Sequence, residues 1–251
     1  VTSVNATNLA AINDALASAA VDGEKADTSS ELQAIVNAFN KVLAAANGTD
    51  GDVTAVATAT DYASLGVTGV SAATAALLGD VIDSKMTTDV DSVAELQALA
   101  DAAKVGLAYT SAAAATASGT VPTVANLSHL VTGVTEVNLA AVLRALEAAN
   151  GSATSAAPVD QASLQALVDH ITQALNAITG AAESNTATST SPSVAEYVFA
   201  GVTGVSADNV ALINDMLDTD AIHGAEVDSP AKIQALVDAV QQIRALADGA
   251  A

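Results

Sequence analysis

At 251 residues, with 28 acidic side chains against 7 basic ones, the chain carries a formal net charge of −21 and contains neither cysteine nor tryptophan. The charge argues against nucleic acid and anionic membrane as partners, because both need clustered Lys and Arg. The missing cysteine removes disulfides, thiolate metal sites and cysteine nucleophiles together, and no apolar run reaches the length of a membrane span. With aromatics at 2%, Ala, Val, Leu and Ile must build the cores, which suits closely packed helices.

Two motifs recur four times. Val1-Thr2-Ser3-Val4, Val67-Thr68-Gly69-Val70, Val131-Thr132-Gly133-Val134 and Val202-Thr203-Gly204-Val205 are each followed, roughly 26 to 30 residues later, by Leu32-Gln33-Ala34-Ile35, Leu96-Gln97-Ala98-Leu99, Leu164-Gln165-Ala166-Leu167 and Ile233-Gln234-Ala235-Leu236. The period of about 64 to 71 residues is long enough for each copy to bury a small core.

In chain order, the first copy begins at its Val-Thr motif without the segment that precedes it in the others, and it opens on Val1 rather than Met. The Val1 start reads as a chain either processed or excised from something longer, and the incomplete first copy suggests excision from a longer repeat array. Asn5, Ser71, Thr135 and Ser206 stand where a helix N-cap belongs. The valines before them, Val4, Val70, Val134 and Val205, are expected to staple onto Leu9, Ala75, Leu139 and Val210. The helix that follows has one apolar face in each copy: Leu9, Ile12, Leu16; Ala75, Leu78, Ile82; Leu139, Val142, Leu146; Val210, Ile213, Leu217. An acidic loop then ends at Asp27, Asp91, Asp160 or Asp228. Thr28 with Glu31 and Ser92 with Glu95 read as capping boxes, and Ser229 precedes Pro230 at a first helical position. The third helix carries Leu32, Ile35, Val36, Phe39 and Leu43 in copy 1, Leu164, Leu167, Val168, Ile171 and Leu175 in copy 3, and Ile233, Leu236, Val237 and Val240 in copy 4.

A short leading helix is clearest over residues 193–200, stopped by Gly201, with Gly66 equivalent and Leu130 breaking the pattern in copy 3. Segments 47–60, 110–123 and 180–192, rich in Ala, Thr, Ser and Gly, read as linkers. The expected fold is all-α, a tandem array of small three-helix bundles joined by Ala/Thr/Ser-rich linkers. Its units are 1–50 (an incomplete copy with the second and third helices only), 51–115, 116–183 and 184–251. The incomplete copy should leave the stripe of Leu9, Ile12, Leu32 and Ile35 to be covered by a neighbouring chain or domain.

The run Ala200-Gly201-Val202-Thr203, followed by Ile213-Asn214, an acidic loop and Ala235-Leu236, resembles the GA-type three-helix module of bacterial surface proteins. That resemblance implies a short helix before an Ala-Gly-Val-Thr turn and two longer helices after it. Some members of the family bind serum albumin. Here the loops are longer and more acidic, and the aromatic residue that often follows the turn is missing. The composition is also similar to the repeat regions of adhesins, surface-layer proteins and extracellular filaments.

Residues that could carry chemistry are few. His129, His170 and His223 fall at non-equivalent positions in three copies, no Gly-x-Ser-x-Gly elbow or phosphate loop is present, and no catalytic residue is nominated. The chain reads as non-enzymatic, with no required cofactor. Calcium is the one inorganic candidate, with Asp50, Asp52, Asp89, Asp91, Asp218, Asp220 and Asp228 as its ligands, although none follows EF-hand spacing. Sequons at Asn5, Asn47, Asn126 and Asn150 allow glycosylation. The expected role is a structural repeat protein of the bacterial cell surface or extracellular matrix (S-layer, sheath, filament or adhesin stalk) that binds itself as a homo-oligomer or polymer. The alternative is a surface module that captures a host or environmental protein ligand.

Overall fold

The computed structural model describes residues 1–49, 51, 56–110, 121–151, 160–184, 191–247 and 249. Among them the protein is all-helical, with one isolated bridge between Asn47 and Met86 and no strand. In chain order the helices are α1 (Leu9–Ala17), α2 (Ser29–Ala45), α3 (Ala59–Ser64), α4 (Ala72–Asp83), α5 (Val93–Ala108), α6 (Val124–Leu130), α7 (Leu139–Gly151), α8 (Gln161–Ser184), α9 (Val194–Phe199), α10 (Val210–Leu217) and α11 (Pro230–Ala247). Single 3-10 turns at Thr87–Asp89 and Gly224–Glu226 lead into α5 and α11. No helix among the described residues is long and apolar enough to cross a membrane.

Two compact units divide the chain, Val1–Thr132 with Ala149–Leu164 and Gly133–Ala148 with Gln165–Ala251. In the first, α1 packs on α2, α4 on α3 and α5, and α6 on α5. Contacts between copies are as firm as those within them: α2 packs on α3 and α4, and α1 on α5. Lys41 of α2 ties down Asp61 of α3 at 2.8 Å. The described ends of the expected linkers take part in the fold. Ala57 is buried, Gly48 donates its amide to the Lys85 carbonyl at 2.9 Å, and α8 runs through residue 180 to Ser184.

Each short leading helix opens on a capping box, Thr58 with Asp61, Thr123 with Asn126 and Ser193 with Glu196. Side-chain oxygen and backbone amide then satisfy each other at an end where amides have no helical partner. Gly66 (φ +82°) and Gly201 (φ +78°) end α3 and α9, and the amides of Val67 and Val202 close back onto the carbonyls of Tyr62 and Tyr197. In α6, Leu130 stays helical and Val131 is extended, so that end has no left-handed turn.

Of the expected caps, Ser71 stands as the N-cap of α4, whereas the N-caps of α1 and α10 are Asn8 and Asn209, three residues beyond Asn5 and Ser206. Ser71 Oγ accepts from Thr74 N at 3.1 Å, Thr135 Oγ1 from Asn138 N at 3.3 Å, and Asn5 Oδ1 from Thr7 N at 2.9 Å. Ser206 donates its own amide to Asn209 Oδ1 at 2.8 Å. Asn8, Asn138 and Asn209 are buried and clamp the turn from behind, which delays the regular helix to Leu9, Leu139 and Val210.

The staple holds in one copy and shifts in the others. Val134 is buried as expected, whereas Val70 and Val205 are half-buried and Val4 is exposed; the first residue of the motif is buried at Val67, Val131 and Val202 and exposed at Val1. The apolar faces of α4 and α10 are covered as expected, apart from half-buried Val210. In copy 1, Ile12 and Ile35 are buried within the chain and Leu32 is half-buried, so that part of the stripe needs no second molecule. Leu9 and Leu16 remain exposed.

Tyr62 and Tyr197 occupy equivalent positions and are both fully buried. Tyr197 Oη donates to Asn214 Oδ1 at 2.8 Å, and Asn214 Nδ2 donates to the Pro192 carbonyl at 2.9 Å. Gly79 stands where Asn214 stands, with Val56 against it, so the Tyr62 hydroxyl has no partner. Tyr197→Phe should therefore lose about 1 kcal/mol, whereas Tyr62→Phe should lose nothing, because it removes a buried unpaired hydroxyl. Melting curves of the two variants side by side check this; equal losses would contradict it.

Candidate functional site

What copies 1, 2 and 4 share is a strap. In copies 1, 2 and 4 the glutamine of the second motif accepts from the threonine amide of the first: Thr2 N to Gln33 Oε1 at 2.7 Å, Thr68 N to Gln97 at 2.8 Å and Thr203 N to Gln234 at 2.8 Å. The same side chain donates Nε2 back to the threonine carbonyl at 3.1–3.2 Å. A second Nε2 bond reaches one helical turn on, to Asn37, Asp101 and Asp238, and Gln165 does likewise to Asp169 at 2.9 Å. A primary amide carries an acceptor and a donor side by side, which lets it read the N–H and the C=O of one residue at once. These residues therefore hold the turn to the third helix and are not free for a ligand.

The candidate calcium ligands are dispersed and engaged locally. Asp50 and Asp52 lie outside the described residues. Asp89 Oδ2 accepts from Met86 N at 3.0 Å across its 3-10 turn, and Asp218 follows the last turn of α10 as its C-cap. Asp220 lies in the exposed segment beyond it, and Asp228 pairs with Lys232 at 2.8 Å, the latter two both about half exposed. Asp91 stands beside Glu95, Asp14 and Asp89, and its pKa is raised, first by burial and then by these like charges. Asp14 is already committed, accepting from Val93 N at 2.9 Å, and Glu95 is committed to Ser92 in its capping box. Among the described residues, no three His, Asp or Glu side chains form a group able to hold a metal ion.

The carboxylates are tuned by their local partners. Burial pushes Asp61 up, but Lys41 and the Thr58 amide and hydroxyl outweigh it and hold the carboxyl below its usual range. Asp160 is held low by the Ser163 side chain and amide. Asp83 is buried; its Oδ2 accepts from Gly51 N at 2.6 Å while Oδ1 has no partner.

The clefts are open and shallow. One of about 540 Å³ in the first unit is lined by Lys85, Asp89, Ala94, Glu95, Ala98, Leu99 and His129. It gathers a cation, two carboxylates and an imidazole, but both carboxylates are engaged in helix starts and no hydroxyl nucleophile lines it. In the second unit, about 310 Å³ lies beside Asn138, Thr172 and Asp228, and Asn138 there is already bonded on both sides. His170 stacks at a tilt on Phe199, with ring centres 5.3 Å apart, and His223 donates its amide to Glu226. No family model, curated protein or solved structure matches the chain.

Sequence reasoning passed over the Gln–Thr strap, although both its partners lay in the shared motifs, and the Asn clamp, whose asparagines lay outside them. The signal for the clamp was a cap residue followed three positions later by Asn: Asn5 and Asn8, Thr135 and Asn138, Ser206 and Asn209.

Proposed function

We propose that this chain is a structural repeat protein of a bacterial cell surface or extracellular matrix, built as a tandem array of three-helix bundles and acting through self-association rather than catalysis. The observation that carries this reading is the strap. In copies 1, 2 and 4 the residues that recur bond to one another, so their polar atoms are spent on the fold itself. Selection for architecture leaves that imprint, because a repeat array works through number and surface. The acidic exterior, with a net charge of −21, keeps such an array soluble at high local concentration. The similarity to GA-type modules and to adhesin or surface-layer repeats supports the same placement.

Electron microscopy of the concentrated chain tests it. Sheets, tubes or fibres are expected, and a field of isolated particles at every concentration would overturn the reading. In a parallel serum pull-down, recovery of a host protein by a chain that stays monomeric would move the assignment to a capture module.

A further inference from the structure

The fold presents the sequons at Asn5, Asn47, Asn126 and Asn150 in different ways, and one of them stands apart. A sequon can accept a glycan only on an open surface, with its carboxamide nitrogen free to react. At Asn5-Ala6-Thr7 all three residues are exposed. Asn5 Oδ1 accepts from the Thr7 amide at 2.9 Å, which folds the carboxamide back onto the residue that carries the hydroxyl. Asn5 Nδ2 and the Thr7 hydroxyl bond to no described residue. The turn is fixed from the protein side, where buried Asn8 accepts from the Asn5 amide at 2.8 Å and donates to the Ser3 carbonyl at 2.7 Å. Nor does the exposure follow from lying near the start of the sequence. Ser71, Thr135 and Ser206 fill the same place in the other copies, each behind a leading helix, and all three are exposed.

The other sequons are engaged by the fold. Asn126-Leu127-Ser128 lies inside α6, where residues two apart face away from each other. Leu127 is buried there, and Asn126 Oδ1 accepts from both the amide and the hydroxyl of Thr123. Asn150 uses the reactive nitrogen itself, donating Nδ2 to the carbonyls of Gly106 and Tyr109 at 3.0 and 2.8 Å. Asn47 repeats the turn of Asn5, with Oδ1 accepting from Thr49 N at 2.7 Å. It is, however, bridged to Met86, and Gly48 donates its amide to the Lys85 carbonyl at 2.9 Å, so the chain after α4 covers one flank of that sequon.

We propose that Asn5 is an N-glycosylation site, taking an oligosaccharide from a polyisoprenyl-diphosphate donor while the chain is folded. Asn5 Nδ2 bonds to the anomeric carbon of the first sugar as the bond from that carbon to the diphosphate oxygen breaks. The diphosphate leaves with the electron pair, and the nitrogen gives one proton to a base of the transferase. The amide of Thr7 assists, because a donor on the carboxamide oxygen stabilises the charge that gathers there as the nitrogen loses its proton. The inference rests on the extracellular placement proposed above, since glycans of this kind belong to secreted chains.

The test uses the folded whole chain, a synthetic polyisoprenyl-diphosphate chitobiose, and a single-subunit oligosaccharyltransferase first shown to modify free peptides of residues 1–12 and 121–132. Intact mass and peptide mapping read the product. The parent is expected to gain one glycan, on Asn5, and to refuse it at Asn126 although the free peptide takes it. Asn5→Gln and Thr7→Ala should both lose the modification and melt with the parent, because both side chains face solvent. Thr7→Ala keeps the backbone amide that Asn5 accepts from, so it serves alone if Asn5→Gln fails to fold. A folded parent that stays unmodified at Asn5 overturns the inference. So does a glycan on Asn47, Asn126 or Asn150 in place of Asn5, or a Thr7→Ala chain modified as well as the parent. None of these results touches the self-association reading, which electron microscopy decides separately.

Discussion

Replacing Gly66 by Ala should destabilise the first unit by about 2–4 kcal/mol, combining left-handed strain with overpacking. Gly66 has φ +82°, where a side chain crowds its own backbone. An added Cβ would lie 2.6 Å from Ala20 Cβ, 3.1 Å from the Ala20 carbonyl carbon and 3.2 Å from its oxygen. Two of these three are backbone atoms, which cannot rotate away. Ala20 belongs to the segment after α1, so relief would require prising copy 1 from the turn of copy 2. The matched control is Gly23→Ala, which meets nothing within 4 Å and has no positive φ. It should leave stability unchanged or raise it by roughly 0.5 kcal/mol through the unfolded state. Thermal unfolding of the two variants decides: a Gly66→Ala melt that overlays the parent would mean that this turn is not held against α1.

Asn138→Leu should cost about 1–3 kcal/mol, by breaking two part-buried hydrogen bonds to the backbone at once. Asn138 is buried; its Oδ1 accepts from Thr135 N at 2.8 Å and its Nδ2 donates to the Gly133 carbonyl at 2.8 Å. Leucine has nearly the same shape and no polar atom, so it isolates the hydrogen bonds from the packing. Asn138→Thr should be milder, because copy 2 carries Thr74 at this position and closes its turn through Ser71 Oγ. Denaturant unfolding of both variants gives the comparison; equal losses would place the cost in volume rather than in unpaired groups.

Much of the helical pattern is legible because its causes are local. The boxes at Thr28–Glu31 and Ser92–Glu95 and the stops at Gly66 and Gly201 need only three or four neighbouring residues to declare themselves, and they stand where they were expected. The boxes at Thr58, Thr123 and Ser193 carry the same signal with Asp, Asn or Glu as the reciprocal acceptor. What stays hidden depends on partners far along the chain. Gln33 meets Thr2, and Gln97 meets Thr68, across about thirty residues with no periodicity to announce the pairing. The valine that the core swallows is decided by how the turn is rolled, so Val67 is buried while Val70 is half-buried, against the staple rule. The coverage of Ile12 and Ile35 also depends on which copies touch, and a repeat read in isolation does not supply that. The dispersal of Asp89, Asp218 and Asp228 has a plain cause: each answers a nearby amide or ammonium, or follows a helix end.

The straps close spans of 31, 29 and 31 residues. Much of the order therefore accumulates from near neighbours, and the packing of α2 on α3 and α4 adds each copy to the one before it. Topologies of this kind reach the native state in about milliseconds or less, because little chain entropy is lost before contacts begin to compensate. A nascent polypeptide organised in this way matures stepwise as it is released, each copy settling once the next has arrived to cover it.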